Sequence, residues 1–347
     1  MNYFFTEEQA IIKELAAKIA DEKIAPHAAE LDETEEFPWE FIKILGESDL
    51  FSVWVPEEYG GLGGGVFEQC LVVEELSRAC AGVAVSYAAS ALGGFPILLF
   101  GKEEQKQKFM PDIASGKKLA AFALTESEAG SDAGNIKTTA IRDGDFYILN
   151  GTKQWITNGG EAEIYVVIAS LDPSKGPRGM TAFIVEKGTP GFSFGKREKK
   201  MGIRASATTE LIFTDCKIPA ENLLSKEGRG FKIAMDTLDK TRPGVAAQAV
   251  GIAQGALNKA AEYATTRVQF GKKIGEFQAI EHMLADMATQ LEAARALVYN
   301  VAKTIDSGER HISKASAMAK LFASDMAMKV TCDAVQIFGG YGYMRDY

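Results

Sequence analysis

The sequence has few of the residues from which metal centres and histidine-based catalytic sites are built. Its 347 residues include three histidines, and these stand far apart at His27, His282 and His311. The four cysteines are equally scattered, at Cys70, Cys80, Cys216 and Cys332. No CxxC pair is present, and no histidine lies near Cys70 or Cys80. We therefore expect neither a metal site nor a His-based triad, and we expect the cysteines to be buried, reduced thiols.

Positive charge and long apolar runs are also scarce. The 38 Lys and Arg residues are outnumbered by 47 Asp and Glu, which gives a formal net charge of -9. Such a chain is a poor ligand for nucleic acid or an anionic membrane. We find no apolar run that approaches the roughly 20 residues of a membrane span, and no signal or transit segment. A cytoplasmic protein is expected, or one of the mitochondrial matrix if the source is eukaryotic and the chain is processed.

Motifs of several common enzyme classes are absent. The sequence does not contain GxxxxGK[ST], which argues against a P-loop enzyme. The glycine-rich segment 61–65 does not follow a strand into a helix with GxGxxG spacing, so a flexible surface loop is expected there. No internal repeat is apparent.

Hydrophobic periodicity predicts helices on both sides of a central β region. The fold class is α+β and mostly α: an N-terminal helical lobe (residues 1–120), a small β-barrel-like domain (121–230) and a C-terminal four-helix bundle (231–347). Thr6 is expected to cap the first helix, with Gln9 in a capping box. Glycine and proline at 93–96 are expected to interrupt a helix. The C-terminal helices are predicted at 231–239, 244–267, 277–305 and 313–338.

The β region contains the turns whose polar groups could bind a cofactor. Strands are predicted at 164–169, 180–186, 192–194 and 210–213, with turns at Asn150-Gly151 and at 158–160. These turns and the segment from Ala121 are rich in hydroxyl groups and backbone donors, which suit a phosphate-bearing cofactor. An ordinary β-hairpin region with polar turns is the alternative.

Several segments resemble signatures of the acyl-CoA dehydrogenase family. The run Ala123–Asp132, ALTESEAGSD, is similar to the family's LTExxAGSD signature, and Gln336–Tyr343, QIFGGYGY, resembles its second signature. Further matching segments are PEEYGG near residue 56, WITNG at 155–159, LDKTR at 238–242, RVQFG at 267–271 and FQ at 277–278. The matches come in family order and span the whole chain, and they look most like the short-chain, butyryl-CoA-type members.

The resemblance implies a fold, a cofactor, a reaction and partners. The fold would be acyl-CoA dehydrogenase-like and the cofactor FAD. The reaction would remove the pro-R α-proton of an acyl-CoA and transfer a β-hydride to flavin N5, forming a trans-2-enoyl-CoA. Electrons would pass to an electron-transferring flavoprotein, and the protein would be a homotetramer, a dimer of dimers.

The resemblance also assigns FAD contacts to named residues. They are Phe122, Leu124, Thr125, Gly130, Ser131, Trp155, Ile156, Thr157, Arg267, Phe270, Gln278, Gln336, Gly339 and Gly340. Trp155 would lie along the isoalloxazine face and Thr157 near N5. The set from Arg267 onward would reach the FAD of a neighbouring subunit, and an Arg fork suits a pyrophosphate. The alternatives are a core aromatic at Trp155, strand packing at Thr157 and a solvated helix-end charge at Arg267.

Substrate contacts are implied at Ser131 and in the LDKTR segment. The latter contributes Asp239, Lys240, Thr241 and Arg242, of which Asp239 and Arg242 are expected to contact CoA or, alternatively, to form an ordinary surface ion pair. An Arg that binds a dicarboxylate in glutaryl-CoA members is matched by Val83, which argues against such a substrate. The acyl end is bounded by Tyr87, Phe95 and Leu98 unless these only pack the core.

Two departures from the family pattern concern catalysis and packing. The usual base is a Glu in a YEG-like segment after GGYGY, and the sequence stops at Tyr347, so we expect that segment and a C-terminal helix to be absent from this chain, with one face of the bundle exposed. Other members place the Glu at the position of Thr241, and a threonine cannot act as that base. Asn135 stands where a small residue is usual.

Three other functions stay open at this point. The same flavin site would serve an enoyl-CoA reductase, with or without flavin-based electron bifurcation. A catalytically inactive flavin- or CoA-binding scaffold would explain a missing base. A helical protein without a cofactor is disfavoured by the number of matches in order.

Overall fold

The computed structural model describes residues 3–345 and 347. Its α-helices are Glu7–Ile19 (α1), Ala28–Thr34 (α2), Trp39–Glu47 (α3), Val66–Ala79 (α4), Ala81–Phe100 (α5), Glu103–Ala114 (α6), Gly230–Thr266 (α7), Gln278–Asp306 (α8), Ser313–Phe338 (α9) and Gly340–Tyr343 (α10). Its strands are Ala120–Ala123 (β1), Thr139–Asp143 (β2), Phe146–Thr157 (β3), Ile164–Ser170 (β4), Met180–Glu186 (β5), Phe192–Arg197 (β6), Thr208–Pro219 (β7), Leu223–Leu224 (β8), Val268–Gln269 (β9) and Lys272–Lys273 (β10). The predicted class, mostly helical around a central sheet, is confirmed.

The chain forms two compact units, each made of several chain segments. One contains residues 1–28, 66–84 and 242–347, and the other contains residues 29–65 and 85–241. We call them the bundle unit and the sheet unit. The unit boundary falls inside α5 and again inside α7. The division into three domains at residues 120 and 230 stays a prediction.

The first helix begins as its sequence predicts. The Thr6 hydroxyl accepts the Gln9 backbone N–H at 3.2 Å, and the Gln9 side chain accepts the Thr6 backbone N–H at 3.1 Å. After Ile19 the chain continues through a π-helical turn and a 3-10 turn that contains Pro26. Pro26 is tolerated because it stands at the start of the 3-10 turn, where the N–H that proline lacks would have no helical partner.

The predicted interruption of α5 is wrong. The helix runs through Gly93, Gly94 and Pro96 without a break. A Cβ on Gly93 would lie 2.6 Å from the Ala121 nitrogen, and one on Gly94 would lie 2.6 Å from the Trp54 ring. Both glycines allow close packing and do not end the helix.

Helix α5 also corrects the expectation about membrane spans. By length and composition it meets the requirements of a span, with a mean hydropathy of 1.8. However, 67% of its apolar stretch is buried inside the protein. We interpret α5 as a core helix, because the central helix of a folded domain can be equally long and apolar.

Two other helices also contain an internal proline. Helix α7 continues through Pro243, where separate helices at 231–239 and 244–267 were predicted, and α6 continues through Pro111. A proline removes one hydrogen bond from a helix, and in a 37-residue helix with many buried positions packing outweighs that loss. The predicted end of α7 is correct to within one residue, and the bounds of α9 are those predicted.

The sheet unit contains an eight-stranded sheet among the described residues. The strand order is β6-β7-β3-β2-β4-β5-β8, and β1 pairs with β4. The pairs β1–β4 and β2–β4 are parallel, and the remaining pairs are antiparallel. Strand β4 is buried along its whole length, because both of its faces are covered.

The predicted turn at Asn150-Gly151 is wrong, because both residues lie within β3. The register of β3 against β7 shifts there, because β7 carries one extra residue between Phe213 and Cys216 and forms a bulge opposite Asn150. The Asn150 side chain fixes this bulge by accepting the Asp215 N–H at 2.8 Å. The hairpin turn between β2 and β3 falls earlier, at Gly144-Asp145, where Gly144 has φ +57°.

The bundle unit is assembled from α1, α4, the later part of α7, α8 and α9. The Asp306 carboxylate accepts the first N–H groups of α4, from Val66 at 2.9 Å and Phe67 at 2.8 Å. Two cysteines contradict the expectation of burial: Cys80 is half-buried and Cys332 is exposed on α9, whereas Cys70 and Cys216 are buried.

Candidate active site

The LTExxAGSD segment forms a rigid turn directly after β1. Backbone hydrogen bonds join Glu126 and Ala129 in both directions, at 3.2 and 3.1 Å. The Glu126 carboxylate points inward and accepts the N–H groups of Lys137, at 2.5 Å, and Thr138, at 3.0 Å. Leu124 is buried, Phe122 and Thr125 are half-buried, and Gly130 and Ser131 are exposed. The turn thus presents Thr125, Gly130 and Ser131 at the surface of the sheet unit.

Lys153 is the functional candidate that sequence reasoning missed. Its side chain is fully buried, and its ammonium lies 2.7 Å from Glu126 Oε1 and 3.0 Å from the Leu124 carbonyl oxygen. Burial lowers the pKa of Lys153 to about 8 despite the opposing effect of Glu126. A signal for this pair is present in the sequence, since Lys153 occupies an inward position of β3, where apolar residues are expected.

The same pair determines the protonation of Glu126. Burial by itself raises the pKa of this carboxyl group, but the charge of Lys153 and three hydrogen bonds lower it by more. The net pKa is below the usual value, so Glu126 is ionised at neutral pH. A buried carboxylate and a buried ammonium thus join the signature turn to β3.

Trp155 lies two residues beyond Lys153 and is exposed. Its side chain is 54% accessible, which excludes the alternative of a core aromatic. The backbone at Trp155 has φ +57°, an uncommon conformation for a residue other than glycine. Such strain persists where the surrounding structure enforces it, and it is frequent at functional sites.

The residues after Trp155 fix the end of β3. Ile156 is buried, and Thr157 is half-buried and pairs with Thr208 of β7. The predicted turn at 158–160 is confirmed, with Asn158 at φ +62°. The buried Asn158 amide donates to the Ser86 carbonyl oxygen at 2.9 Å, which holds the turn against α5.

The bundle unit contains the second group of predicted site residues. Strands β9 and β10 form a short hairpin whose tip is Phe270-Gly271, and the Phe270 side chain is 95% exposed. A cleft of about 510 Å³ lies beside this hairpin and is lined by residues that include Arg267, Gly339 and Gly340. The Arg267 guanidinium lies 5.5 Å from the Tyr341 ring centroid. Gln278 and Gln336 are exposed, and neither they nor Phe270 are among the residues lining the cleft.

Four of the predicted substrate residues, 239–242, lie in the first half of α7. Asp239, Lys240 and Arg242 are half-buried, and Lys240 Nζ lies 5.8 Å from the Phe95 ring centroid. The Thr241 hydroxyl is buried and donates to the Thr237 carbonyl oxygen at 2.9 Å.

The residues considered for the acyl end pack in the core. Tyr87 and Phe95 are almost fully buried, and Val83 is fully buried. The Tyr87 hydroxyl donates to the Leu50 carbonyl oxygen at 2.8 Å, while Leu98 is half-buried. This favours the core-packing alternative for Tyr87 and Phe95.

Comparison with known proteins assigns the family. Three sequence models match in succession: the acyl-CoA dehydrogenase N-terminal domain at residues 6–117, the middle domain at 121–216 and the C-terminal domain at 228–347. The chain belongs to the acyl-CoA dehydrogenase family. It is therefore an oxidoreductase of that family, and the family implies a flavin cofactor.

Two curated relatives cover almost the whole chain. An acyl-CoA dehydrogenase of Bacillus subtilis is 51% identical over 343 residues, which are 99% of this chain and 90% of the relative. An acryloyl-CoA reductase (NADH) of Anaerotignum propionicum is 49% identical and covers 100% of this chain and 88% of its own length.

Two solved structures share the fold closely. Butyryl-CoA dehydrogenase from Megasphaera elsdenii superposes with a TM-score of 0.97 at 49% identity, over 100% of this chain and 92% of the other. The second match has a TM-score of 0.98 at 53% identity and covers 100% of this chain and 91% of the other. It is a chain of the structure described as "Electron transferring flavoprotein of Acidaminococcus fermentans: Towards a mechanism of flavin-based electron bifurcation".

Proposed function

We propose that this protein is an FAD-dependent acyl-CoA dehydrogenase for short acyl chains. It would oxidise the Cα–Cβ bond of the thioester to a trans-2-enoyl-CoA, losing the α-hydrogen as a proton and the β-hydrogen as a hydride, and the electrons would pass to an electron-transferring flavoprotein. The observation that carries the proposal is the exposed, left-handed Trp155 beside the signature turn, in a chain about half identical to a butyryl-CoA dehydrogenase.

The residues of the sheet unit fit a flavin. An indole that is half exposed on a strained strand provides a flat apolar surface for a planar ring system. The signature turn adds backbone and hydroxyl donors at Thr125, Gly130 and Ser131, which suit the polar ring edge and phosphates. FAD, when bound, supplies the two-electron acceptor. Phe122, Leu124, Ile156 and Thr157 would complete this part of the site.

The residues of the bundle unit fit a pyrophosphate. Arg267 carries two parallel donors at the edge of the cleft, and the adjacent Gly339 and Gly340 leave room for close approach of the backbone. We propose that Arg267, Phe270, Gln278, Gln336 and these glycines act on the FAD of a second subunit in a homotetramer. Their exposure leaves them available for such a contact.

The substrate contacts are proposed to come from α7 and the signature turn. Lys240 and Arg242 offer cationic groups to the phosphates of CoA, and Ser131 offers an exposed hydroxyl. Asp239 and Thr241 would contact the same arm of the substrate. Thr241 does not supply the catalytic base, because an alkyl hydroxyl does not ionise near neutral pH and its O–H donates a hydrogen bond to the Thr237 carbonyl oxygen.

A second candidate function is the reverse reaction. The Anaerotignum propionicum relative, an acryloyl-CoA reductase (NADH), is 49% identical to this chain. The same binding residues would serve an enoyl-CoA reductase. Because the curated relatives named here are bacterial, we also propose a cytoplasmic location.

The experiment is an anaerobic titration of the FAD-loaded protein with butyryl-CoA, followed by visible absorption. Loss of the oxidised-flavin bands, and their return when oxidised electron-transferring flavoprotein is added, would support the dehydrogenase. Reoxidation of the reduced protein by acryloyl-CoA without any bleaching by butyryl-CoA would favour the reductase. Bands that shift without bleaching under either condition would indicate an inactive binding scaffold, and a protein that takes up no flavin would overturn the proposal.

A further inference from the structure

We infer that Lys153 and Glu126 are positioning residues that set the direction of the Thr125 N–H and hold the Trp155 indole outward. The inference rests on the proposed flavin site, because Thr125 and Trp155 are its proposed contacts. Neither Lys153 nor Glu126 has an assigned role in the reaction, and both are buried, at 0% and 5% exposure.

The first part of the inference follows from peptide geometry. The Lys153 ammonium donates to the Leu124 carbonyl oxygen at 3.0 Å from inside the unit. In a trans peptide the C=O of one residue and the N–H of the next point in opposite directions. The bond to Leu124 therefore turns the Thr125 N–H away from the interior. The following peptide is fixed as well, because the Gln154 N–H donates to the Thr125 carbonyl oxygen at 2.9 Å.

Glu126 determines where the ammonium can lie. Its two carboxylate oxygens accept from Lys137, Thr138 and Lys153, which gives the carboxylate one orientation. The ammonium is thereby held between Glu126 and the Leu124 carbonyl oxygen. Hydrogen bonds between ionised groups are short and directional, so the pair fixes the turn more narrowly than apolar packing would.

The second part of the inference concerns the face on which Trp155 lies. In a regular strand, residues two apart point to the same face, so Trp155 would lie on the buried face with Lys153. The register of β3 against β7 instead shifts between Lys153 and Ile156, and both of these residues are buried. Because the side chains of Lys153 and Ile156 both point inward, the left-handed backbone at Trp155 between them directs its indole outward.

A purely structural ion pair is the competing explanation, and a comparison of variants separates the two. The test variant is Lys153→Met/Glu126→Gln, which removes both charges without leaving one of them unpaired in the interior. The control is Asn222→Ala in the same unit, where a buried amide that donates to the Ile184 carbonyl oxygen at 2.9 Å is lost. Lys153→Arg serves as the conservative variant, since it keeps a cation that donates to Leu124.

The first measurement needs no cofactor. In a Trp39→Phe background the apoprotein retains Trp54, which is 2% exposed, and Trp155. Acrylamide quenching then reports on Trp155, with Trp155→Phe as the reference. We expect the quenching constant of Trp155 to fall in the double variant and to remain unchanged in Asn222→Ala. An unchanged or higher constant in the double variant would overturn the inference.

The second measurement is the affinity of the apoprotein for FAD, with the absorption spectrum of the bound flavin. We expect the double variant to lose about tenfold in affinity, the equivalent of one well-placed hydrogen bond, and to shift the spectrum. Lys153→Arg should recover most of the affinity, whereas Asn222→Ala should keep both affinity and spectrum. Equal losses in the double variant and in Asn222→Ala, with an unshifted spectrum, would show a structural role only.

The two measurements also separate the inference from the proposed function. If the parent protein binds no FAD, the proposed function fails, and the quenching result alone decides the positioning role. If the double variant does not fold, Lys153→Gln/Glu126→Gln takes its place with the same readouts and the same expected directions, because it also removes both charges and keeps a polar group at each position.

Discussion

The guanidinium of Arg295 donates through Nε to Oε1 of Glu74 at 2.8 Å, although the two residues are 221 positions apart in the chain. Both side chains are less than one tenth exposed. Arg295 also donates to the Gln254 side chain, and Glu74 accepts the Tyr299 hydroxyl at 2.9 Å. This buried network joins α4, α7 and α8 in the bundle unit.

Removing one partner of this pair should destabilise the protein strongly. We expect Arg295→Met to lower the free energy of unfolding by about 3 kcal/mol, because the buried Glu74 carboxylate would lose its hydrogen-bonded counter-charge and keep only the longer ion pair with Lys13 Nζ, at 3.7 Å. The control is Lys329→Met, which breaks the exposed pair with Asp333 and should have a much smaller effect, because solvent screens that pair. Urea denaturation of the three proteins measures both effects. Similar losses in the two variants would contradict the role assigned to burial.

Two glycines of α7 should respond to alanine in opposite directions. A Cβ on Gly251 would overlap the Glu74 carbonyl oxygen, whereas one on Gly244 meets its nearest neighbour, in Gln69, at 3.6 Å. We expect Gly251→Ala to destabilise the protein and Gly244→Ala to leave it unchanged or to stabilise it by up to about 1 kcal/mol through helix propensity. Thermal unfolding compares the two variants. A stabilised Gly251→Ala would show that α4 and α7 can separate without cost.

The Lys153–Glu126 pair should make stability depend on pH in two windows. The lowered pKa of Glu126 contributes stability above its usual value of 4.5, and this contribution is lost as the pH falls through the folded-state pKa. Lys153 titrates near pH 8 when folded and near 10.5 when unfolded. Between these values the unfolded chain binds more protons, so the free energy of unfolding contributed by Lys153 rises with pH.

Denaturation measured over a range of pH checks the predicted change of unfolding free energy in both windows. The difference in unfolding free energy between the parent and Lys153→Met/Glu126→Gln should increase with pH in the acid window, stay level between the windows and increase again above about pH 8. The same difference for Asn222→Ala, which removes no ionisable group, should not vary with pH. A flat curve for the double variant would mean that neither pKa is displaced by folding.

Arg267 should link flavin retention to oligomerisation. We expect Arg267→Ala to weaken FAD retention by about tenfold or more and to shift the oligomer toward smaller species, because a bidentate contact with a pyrophosphate would be lost. Arg267→Lys keeps the charge without the fork and should give an intermediate loss. Flavin content and size-exclusion chromatography with light scattering measure the two effects. Unchanged flavin content in Arg267→Ala would disprove the role proposed for this residue.

Local patterns in the sequence determined much of the fold. The Thr6 capping box, the bounds of α9 and the buried strands β4 and β5 follow from side-chain hydrogen bonding and from the spacing of apolar residues, which act over a few positions. The family, and with it the implied flavin and the candidate residues, came from short motifs in a fixed order. Such motifs are local as well, and for that reason the sequence alone revealed them.

Only the tertiary structure decided the outcome where distant groups compete with a local preference. Gly93, Gly94 and Pro243 are local signals for a helix end, but packing keeps α5 and α7 continuous. Asn150-Gly151 favours a turn, but pairing with β7 keeps both residues in β3, opposite a bulge in β7.

The site shows the same division between local and distant effects. The sequence identified Trp155, but its outward direction depends on bulged pairing with β7. The bond between Lys153 and the signature turn spans 27 residues, and the one between Arg295 and Glu74 spans 221. A buried charge is stable only beside its partner, and folding alone brings those partners together.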